Sequence, residues 1–425
     1  MTHAGEAVIS RHEASNPVIP MSEPPKTDWP GFLSSLEFDL SESPVEAKLP
    51  SDIVIKAPGP EVPREASRWS GIWSGWAGQA RVVDVKLVVE SISVTTATVV
   101  CIIGSEQGGY RCERVQAFVF GNELHGTLAS GTVLAYRMRH SQTIEMFRRS
   151  GPDRWMAGVL SQGAAASFHK TRIPTRFVED DQPVSLETVI AKPKGDGPFP
   201  TLLFNHGSTG NGHDPASFRT TSTSPALARF FVESGWLVAL PQRRGRGKSG
   251  GRYGEGLASD GTGYSHDPAH TLAGFERALE DVAEVHQHLL SRSDVDAHRL
   301  VVGGHSRGGA LAVAYAGEHP NAFDGVLNFV GGWLGDQCTT AQEVNGTVFR
   351  RGTSFEKPML WLYANNDPFY TLAHSRENFE TFTRAGGRGF FQVVETDPYE
   401  DGHHIVGRPD RWGKMVGEYL QIGLY

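Results

Sequence analysis

Leu300-Val301-Val302-Gly303-Gly304-His305-Ser306-Arg307-Gly308-Gly309-Ala310-Leu311-Ala312-Val313 is the stretch on which the reading of the fold turns. It reads as a buried apolar strand, a sharp turn and the start of a helix. A serine on such a turn sits in strained backbone, so small residues must flank it, and Gly304 and Gly308 do so. The turn lifts the hydroxyl above the sheet, at the positive end of the helix that follows. Ser306 is therefore the candidate nucleophile. The bare five-residue pattern recurs by chance; the strand before it and the helix after it make it specific.

The surroundings repeat the same alternation. Thr201-Leu202-Leu203-Phe204, Trp236-Leu237-Val238-Ala239-Leu240, Val326-Leu327-Asn328-Phe329-Val330, Met359-Leu360-Trp361-Leu362-Tyr363 and Phe390-Phe391-Gln392-Val393-Val394 are short continuous apolar runs. Such runs suit strands buried on both faces of a parallel sheet. Helical patterns lie between them; Phe275, Leu279, Val282, Val285 and Leu289 recur at helical spacing in one. Residues 166–425 are thus expected to form a doubly wound, mostly parallel α/β domain.

A serine hydroxyl needs a base, and the base needs an orienting group. In this architecture the chain order is serine, acid, histidine. Asp367 follows the strand ending at Tyr363, and loops at the carboxyl ends of parallel strands are where such sites are built. Asp401-Gly402-His403-His404 follows the next strand. His403, directly after Gly402, is the favoured base and His404 the alternative. Asp397 and Asp401 compete for the acid role, although their place on the histidine loop suits a turn. An oxyanion hole needs two backbone N–H groups. One is expected from Arg307, after the nucleophile. The other is expected from Ser208, in the loop Asn205-His206-Gly207-Ser208-Thr209-Gly210 after the first buried strand.

With these residues in view, positions from about 170 to 425 resemble the α/β-hydrolase superfamily, in its serine-nucleophile, dienelactone-hydrolase-like and esterase or peptidase-like branch. His206-Gly207, Arg244-Gly245-Arg246-Gly247-Lys248-Ser249, the segment Gly304 to Gly308, Asp367 and Gly402-His403 carry the resemblance. Dienelactone hydrolases proper use a cysteine nucleophile, and here the position is Ser306. The resemblance implies an α/β-hydrolase fold and acyl transfer through a serine.

Upstream the pattern changes. Residues 1–65 are rich in Pro, Ser and Glu and read as an extended arm, with Gly31-Phe32-Leu33-Ser34-Ser35-Leu36 as a run able to dock on the body. From 66 to 165 apolar residues alternate: Val83, Val85, Leu87 and Val89, then Val115, Ala117 and Val119, then Leu134, Tyr136 and Met138. Turn signals at Gly108-Gly109 and Gly121-Asn122 separate them. A small antiparallel barrel or sandwich is expected. Trp69, Trp73 and Trp76 are expected to plug one end of its core. Through Ile55-Lys56-Ala57-Pro58, Val62-Pro63 and Ser70-Gly71-Ile72-Trp73-Ser74-Gly75 the region resembles a lipocalin-like barrel found ahead of hydrolase domains in soil bacteria. The segment near Gly163-Ala164-Ala165-Ala166 is short, so the two domains are expected to dock.

The remaining features narrow the classes. A net charge of −8 and a pI of about 6.1 argue against a nucleic-acid binder. No stretch approaches the ~20 apolar residues of a membrane helix. The start of the chain shows no basic-then-apolar leader pattern, which points to a cytoplasmic location. Cys101, Cys112 and Cys338 do not form a disulfide framework, although Cys101 and Cys112 could meet across one hairpin. His286 and His288 lie two apart on a helix, and His266 and His270 flank a loop; neither pair has metal-ligand spacing, so no metal and no cofactor are expected. Arg244, His206 and Trp333 are candidates for the substrate pocket, each with a plain structural role beside it. Between Val330 and Pro358 there is no room for a large cap, which favours esters with accessible acyl groups.

The expected function is hydrolysis of carboxylic esters, with a small-molecule ester as partner and self-association left open. A peptidase or amidase with the same site is the runner-up, though about 100 residues of β structure cannot build the propeller of prolyl-oligopeptidase-like enzymes. A non-catalytic binding protein is the third reading.

Overall fold

The computed structural model describes Val8–Ile9 and residues 47–422, except 79–81, 105–109, 141–142, 152–154, 163–166, 194, 209, 211, 214–217, 220, 259, 262 and 397–400. The chain divides into two compact units, Met1–Ala165 and Ala166–Tyr425.

Eight strands build the first unit: β1 (Gly71–Gly78), β2 (Val82–Ile92), β3 (Thr96–Gly104), β4 (Tyr110–Phe120), β5 (Glu123–Thr127), β6 (Val133–His140), β7 (Thr143–Arg149) and β8 (Trp155–Gln162). Each pairs antiparallel with the next, and β8 pairs back onto β1. The result is a closed up-and-down barrel, to which Val8–Ile9 adds a two-residue strand parallel to Arg111 and Cys112 of β4. The alternation is the reason it closes inward: Val85, Leu87, Val99, Leu134, Tyr136 and Ile144 share one buried core. Trp69 and Trp73 are both fully buried in that core, and the Trp73 indole N–H donates to the Trp69 carbonyl at 2.9 Å. The Trp76 side chain lies outside the described residues.

The outer face of β2 and β3 is also covered. Val88, Val100 and Ile102 pack with Ala47 and Ile53. The Ala47 N–H donates to Asp84 Oδ2 at 2.8 Å, and the Lys56 N–H to the Glu90 carbonyl at 2.7 Å. The end of the arm is therefore seated on the barrel. Most of the arm, including Gly31 to Leu36, and the Gly108-Gly109 turn lie outside the described residues. Cys112 stands opposite Ile102 and Cys101 opposite Glu113, an offset of one residue that sends the two thiols to opposite faces of the sheet. All three cysteines are free.

In the second unit an eight-stranded sheet contains β9 (Ser167–Glu179), β10 (Gln182–Lys192), β11 (Phe199–Asn205), β12 (Leu237–Pro241), β13 (Val295–His305), β14 (Gly325–Phe329), β15 (Met359–Ala364) and β16 (Gly389–Val394). Their order is β9-β10-β12-β11-β13-β14-β15-β16. From β12 onward every neighbour is parallel; β9 and β10 form an antiparallel hairpin at one edge. The six apolar runs read from the sequence coincide with β11 to β16. The hairpin of β9 and β10 was not among them, because its outer half carries polar, half-exposed residues that mask the period.

The helices are α1 (Pro225–Glu233), α2 (Pro268–Leu290), α3 (Arg307–Glu318), α4 (Ala341–Arg350), α5 (Leu372–Arg384) and α6 (Pro409–Leu420). Helix α2 starts where Asp267 accepts the His270 N–H at 2.8 Å and Pro268 presets the first turn. Its stripe Phe275, Leu279, Val282, Val285 and Leu289 is buried. Among the described residues, no helix is long and apolar enough to cross a membrane.

His286 on α2 gives this domain a pH-dependent term. Its Nδ1 lies 3.0 Å from the Tyr315 hydroxyl, and its ring packs on Phe323 at 4.9 Å and near His319 at 6.1 Å. Burial, with the His319 charge behind it, pushes its pKa down to about 4. An unfolded histidine titrates near 6.5, so between these values the unfolded chain binds the extra proton. Stability is then full above pH 6.5 and falls as the pH drops toward 4. His286→Phe is expected to remove about 2 kcal/mol of the loss between pH 7 and pH 4.5. Urea melts of both proteins at the two pH values check this; a wild-type minus variant difference that does not change with pH would refute it.

Candidate active site

Strand β13 lies between β11 and β14, so its carboxyl end opens at the middle of the parallel sheet. There the chain turns at Ser306 with φ +55° and ψ −122°, a strained conformation for a residue with a side chain. The turn is held by the Ser306 N–H donating to the Phe329 carbonyl at 2.9 Å, and by its own carbonyl accepting from Gly309 N–H at 2.9 Å. Sterics demand the flanking glycines. A Cβ on Gly304 would lie 2.2 Å from the Gly308 backbone, and one on Gly308 would lie 2.0 Å from the Asn205 carbonyl oxygen.

Asp367 stands in the loop after β15, with its carboxylate fully engaged. Oδ1 accepts from the N–H groups of Phe369 (2.8 Å) and Tyr370 (3.0 Å), and Oδ2 lies 2.9 Å from His403 Nδ1. A carboxylate only accepts, so this contact places the imidazole proton on Nδ1 and leaves a lone pair on Nε2. Both side chains are buried. Asp401 accepts the His403 N–H at 2.9 Å and caps the short helical turn that follows. His404 is half-buried, with Nε2 at 3.7 Å from Asp401 Oδ2. Asp397 lies outside the described residues.

Two residues tie the His403 loop to the Ser306 turn. His305 Nε2 donates to the His403 carbonyl at 2.7 Å, and the two rings are 4.8 Å apart. Burial, with His403 and His404 nearby, pushes the His305 pKa well down and keeps that ring neutral. The Tyr370 hydroxyl donates to the Gly332 carbonyl at 2.8 Å and also meets the Ser306 side chain. Its burial pushes the phenol pKa up, so it stays protonated.

Arg307 is the first residue of α3, where a backbone N–H has no acceptor within the helix. Ser208 follows Gly207, whose backbone approaches the nucleophile so closely that a Cβ there would sit 3.0 Å from Ser306 Cβ. The model of the α/β-hydrolase fold family matches residues 200–331, which span β11, the loop after it and the Ser306 turn. The second unit is an α/β-hydrolase-fold domain.

Solved structures align with this chain at low identity. A candidate dienelactone hydrolase from Klebsiella pneumoniae is 18% identical with a TM-score of 0.40, covering 61% of this chain and 100% of that one. An esterase from Pyrococcus furiosus is 17% identical with a TM-score of 0.42, covering 61% of this chain and 92% of that one. A prolyl endopeptidase is 12% identical with a TM-score of 0.42; the match covers 82% of this chain and 64% of that one. No curated protein matches the chain in sequence.

The three pocket candidates all have partners inside the α/β-hydrolase-fold domain. Arg244, a candidate for the substrate pocket with a structural role beside it, is held in an ion cluster: Nε lies 2.6 Å from Asp281, Nη2 2.7 Å from Glu280, and the guanidinium stacks over Phe177 at 3.9 Å. Charge compensation inside the fold takes up its donors. Trp333 is buried with its indole N–H donating to the Thr271 carbonyl at 3.1 Å and its ring edge-on to Phe275. His206 is buried within the loop after β11. Its Nδ1 donates to the Gly207 carbonyl at 2.8 Å, and its Nε2 accepts the Arg243 N–H at 3.2 Å. Burial and the charges of Arg243 and Arg246 push its pKa well down, so it stays neutral.

Sequence reasoning missed three contributors. Tyr370 carries a readable signal only once Asp367 is chosen, since it lies three residues on. His305 is adjacent to the nucleophile, but nothing local shows that it reaches across to His403. Glu255 looked like any acidic loop residue, although it is buried against Arg243. Among the described residues, no group of three or more His, Cys, Asp or Glu is placed to hold a metal ion.

Proposed function

We propose that this chain hydrolyses carboxylic esters through Ser306, His403 and Asp367. The observation that carries the reading is the 2.9 Å contact of Asp367 with His403 Nδ1, in a site whose serine sits on a strained strand-to-helix turn. Ser306 Oγ attacks the ester carbonyl carbon while its proton passes to His403 Nε2. The carbonyl oxygen takes up the negative charge, and the N–H groups of Ser208 and Arg307 stabilise it. The C–O bond to the alcohol then breaks, and the departing oxygen takes the proton from His403. Water attacks the acyl-enzyme, giving its proton to His403, and collapse releases the acid and restores the serine. Asp367 holds the imidazole in the required tautomer and compensates the imidazolium formed in each half.

A panel of p-nitrophenyl esters of increasing acyl length beside aminoacyl p-nitroanilides tests the class. The expected result is turnover of short and medium esters with kcat/KM at least about 10²-fold above any anilide, since an amine is the poorer leaving group. Comparable or faster cleavage of the anilides would replace this reading with a peptidase or amidase.

A further inference from the structure

We infer that Arg243 is a positioning residue of the oxyanion hole: its grip on the Gly207 carbonyl aims the Ser208 N–H at the reacting oxygen. The inference rests on the esterase reading of the site above.

Gly207 C=O and Ser208 N–H belong to one trans peptide unit and point in opposite directions. Whatever holds the carbonyl on one side therefore directs the N–H to the other. Arg243 Nη2 donates to the Gly207 carbonyl at 3.1 Å, and Nη1 donates to the preceding carbonyl, of His206, at 2.8 Å. The His206 imidazole adds a second donor to the Gly207 carbonyl at 2.8 Å. The backbone between these carbonyls is the part that lies against Ser306. Both carbonyls turn toward the guanidinium, and the Gly207 carbonyl, held from that side, turns the Ser208 N–H away from it.

Glu255 completes the device. Its carboxylate takes Arg243 Nε and, at 3.1 Å, Nη2, and the Tyr253 hydroxyl donates to the same carboxylate at 3.1 Å. The Glu255 main-chain carbonyl accepts from Arg307 Nη1 at 2.7 Å. One residue thus links the loop that carries Ser208 to the helix start that carries Arg307, the two sources of the hole. Arg243 is 1% exposed and Glu255 3%, so water does not compete for these bonds. A planar fork of donors is required to serve two carbonyls and a carboxylate at once; a lysine ammonium is a single point.

The test compares wild type, Arg243→Lys, which keeps a charge opposite Glu255, and Arg243→Met with Glu255→Gln, which removes both charges. Thermal melts report folding. Hydrolysis of an activated ester gives kcat and KM, and a trifluoromethyl ketone, which adds to the serine as an oxyanion, reports the hole directly. A missing oxyanion donor costs roughly 10²-fold in kcat, so both variants are expected to lose about that factor, with KM within about threefold. The ketone should bind weaker by a similar factor, and methylguanidine added to Arg243→Ala should restore part of the rate. A variant that folds, keeps kcat and ketone affinity within about threefold and loses only melting temperature would reduce Arg243 to a structural residue and overturn the inference. Wild type that neither hydrolyses esters nor reacts with the ketone would instead remove the esterase reading, and with it this inference.

Discussion

Ser306→Ala is expected to abolish covalent labelling by a fluorophosphonate and to lower kcat by about 10⁴- to 10⁶-fold. In the proposed mechanism the hydroxyl oxygen forms the acyl bond, and nothing in the turn replaces it. The substitution removes one oxygen and keeps the backbone bonds of the turn, including Ser306 N–H to Phe329 O and Gly309 N–H to Ser306 O. The variant should therefore fold, and the loss is chemical. Intact-protein mass spectrometry after fluorophosphonate treatment shows one adduct on wild type and none on the variant. An adduct that survives the substitution would move the nucleophile elsewhere.

The second large effect separates two adjacent histidines. His403→Ala is expected to lower kcat by about 10⁴-fold or more, because members of a triad act as a unit. His404→Ala should cost less than about tenfold, since its ion-pair contact to the partly exposed Asp401 is long, at 3.7 Å. Steady-state kinetics on one activated ester ranks the two. The reverse order would transfer the base to His404 and leave the Asp367 contact with His403 as a structural bond.

Much of the fold was legible because its signals are local. The runs that became β11 to β15 are apolar on both faces, as strands covered on both sides require, whereas the run of the edge strand β16 leaves Phe390 exposed. The stripe of α2 and its Asp267 cap are likewise local. The β9–β10 hairpin escaped because an edge element mixes buried and exposed positions, and the period blurs. In the barrel the alternation was legible, but closure was not: pairing of β8 with β1 joins residues such as Trp73 and Gln162, which no local pattern relates.

The site divides along the same line. The sequence by itself singled out Ser306 as a candidate, since the turn needs Gly304 and Gly308 within two residues of it, and it offered Asp367 and His403 in the order acid, then base, along the chain. It left His403 and His404 as alternatives, and it offered Arg244 for a substrate role. Only the tertiary structure gives the partners of these residues, because each partner lies far away in sequence. His403 meets Asp367 from 36 residues on, and Arg243 meets the His206 carbonyl from 37 residues on. Arg244 is drawn instead to Asp281. Side-chain type limits what a residue can bond to. The buried environment decides which bond forms, because a charge or a polar group sealed from water must find its partner within reach.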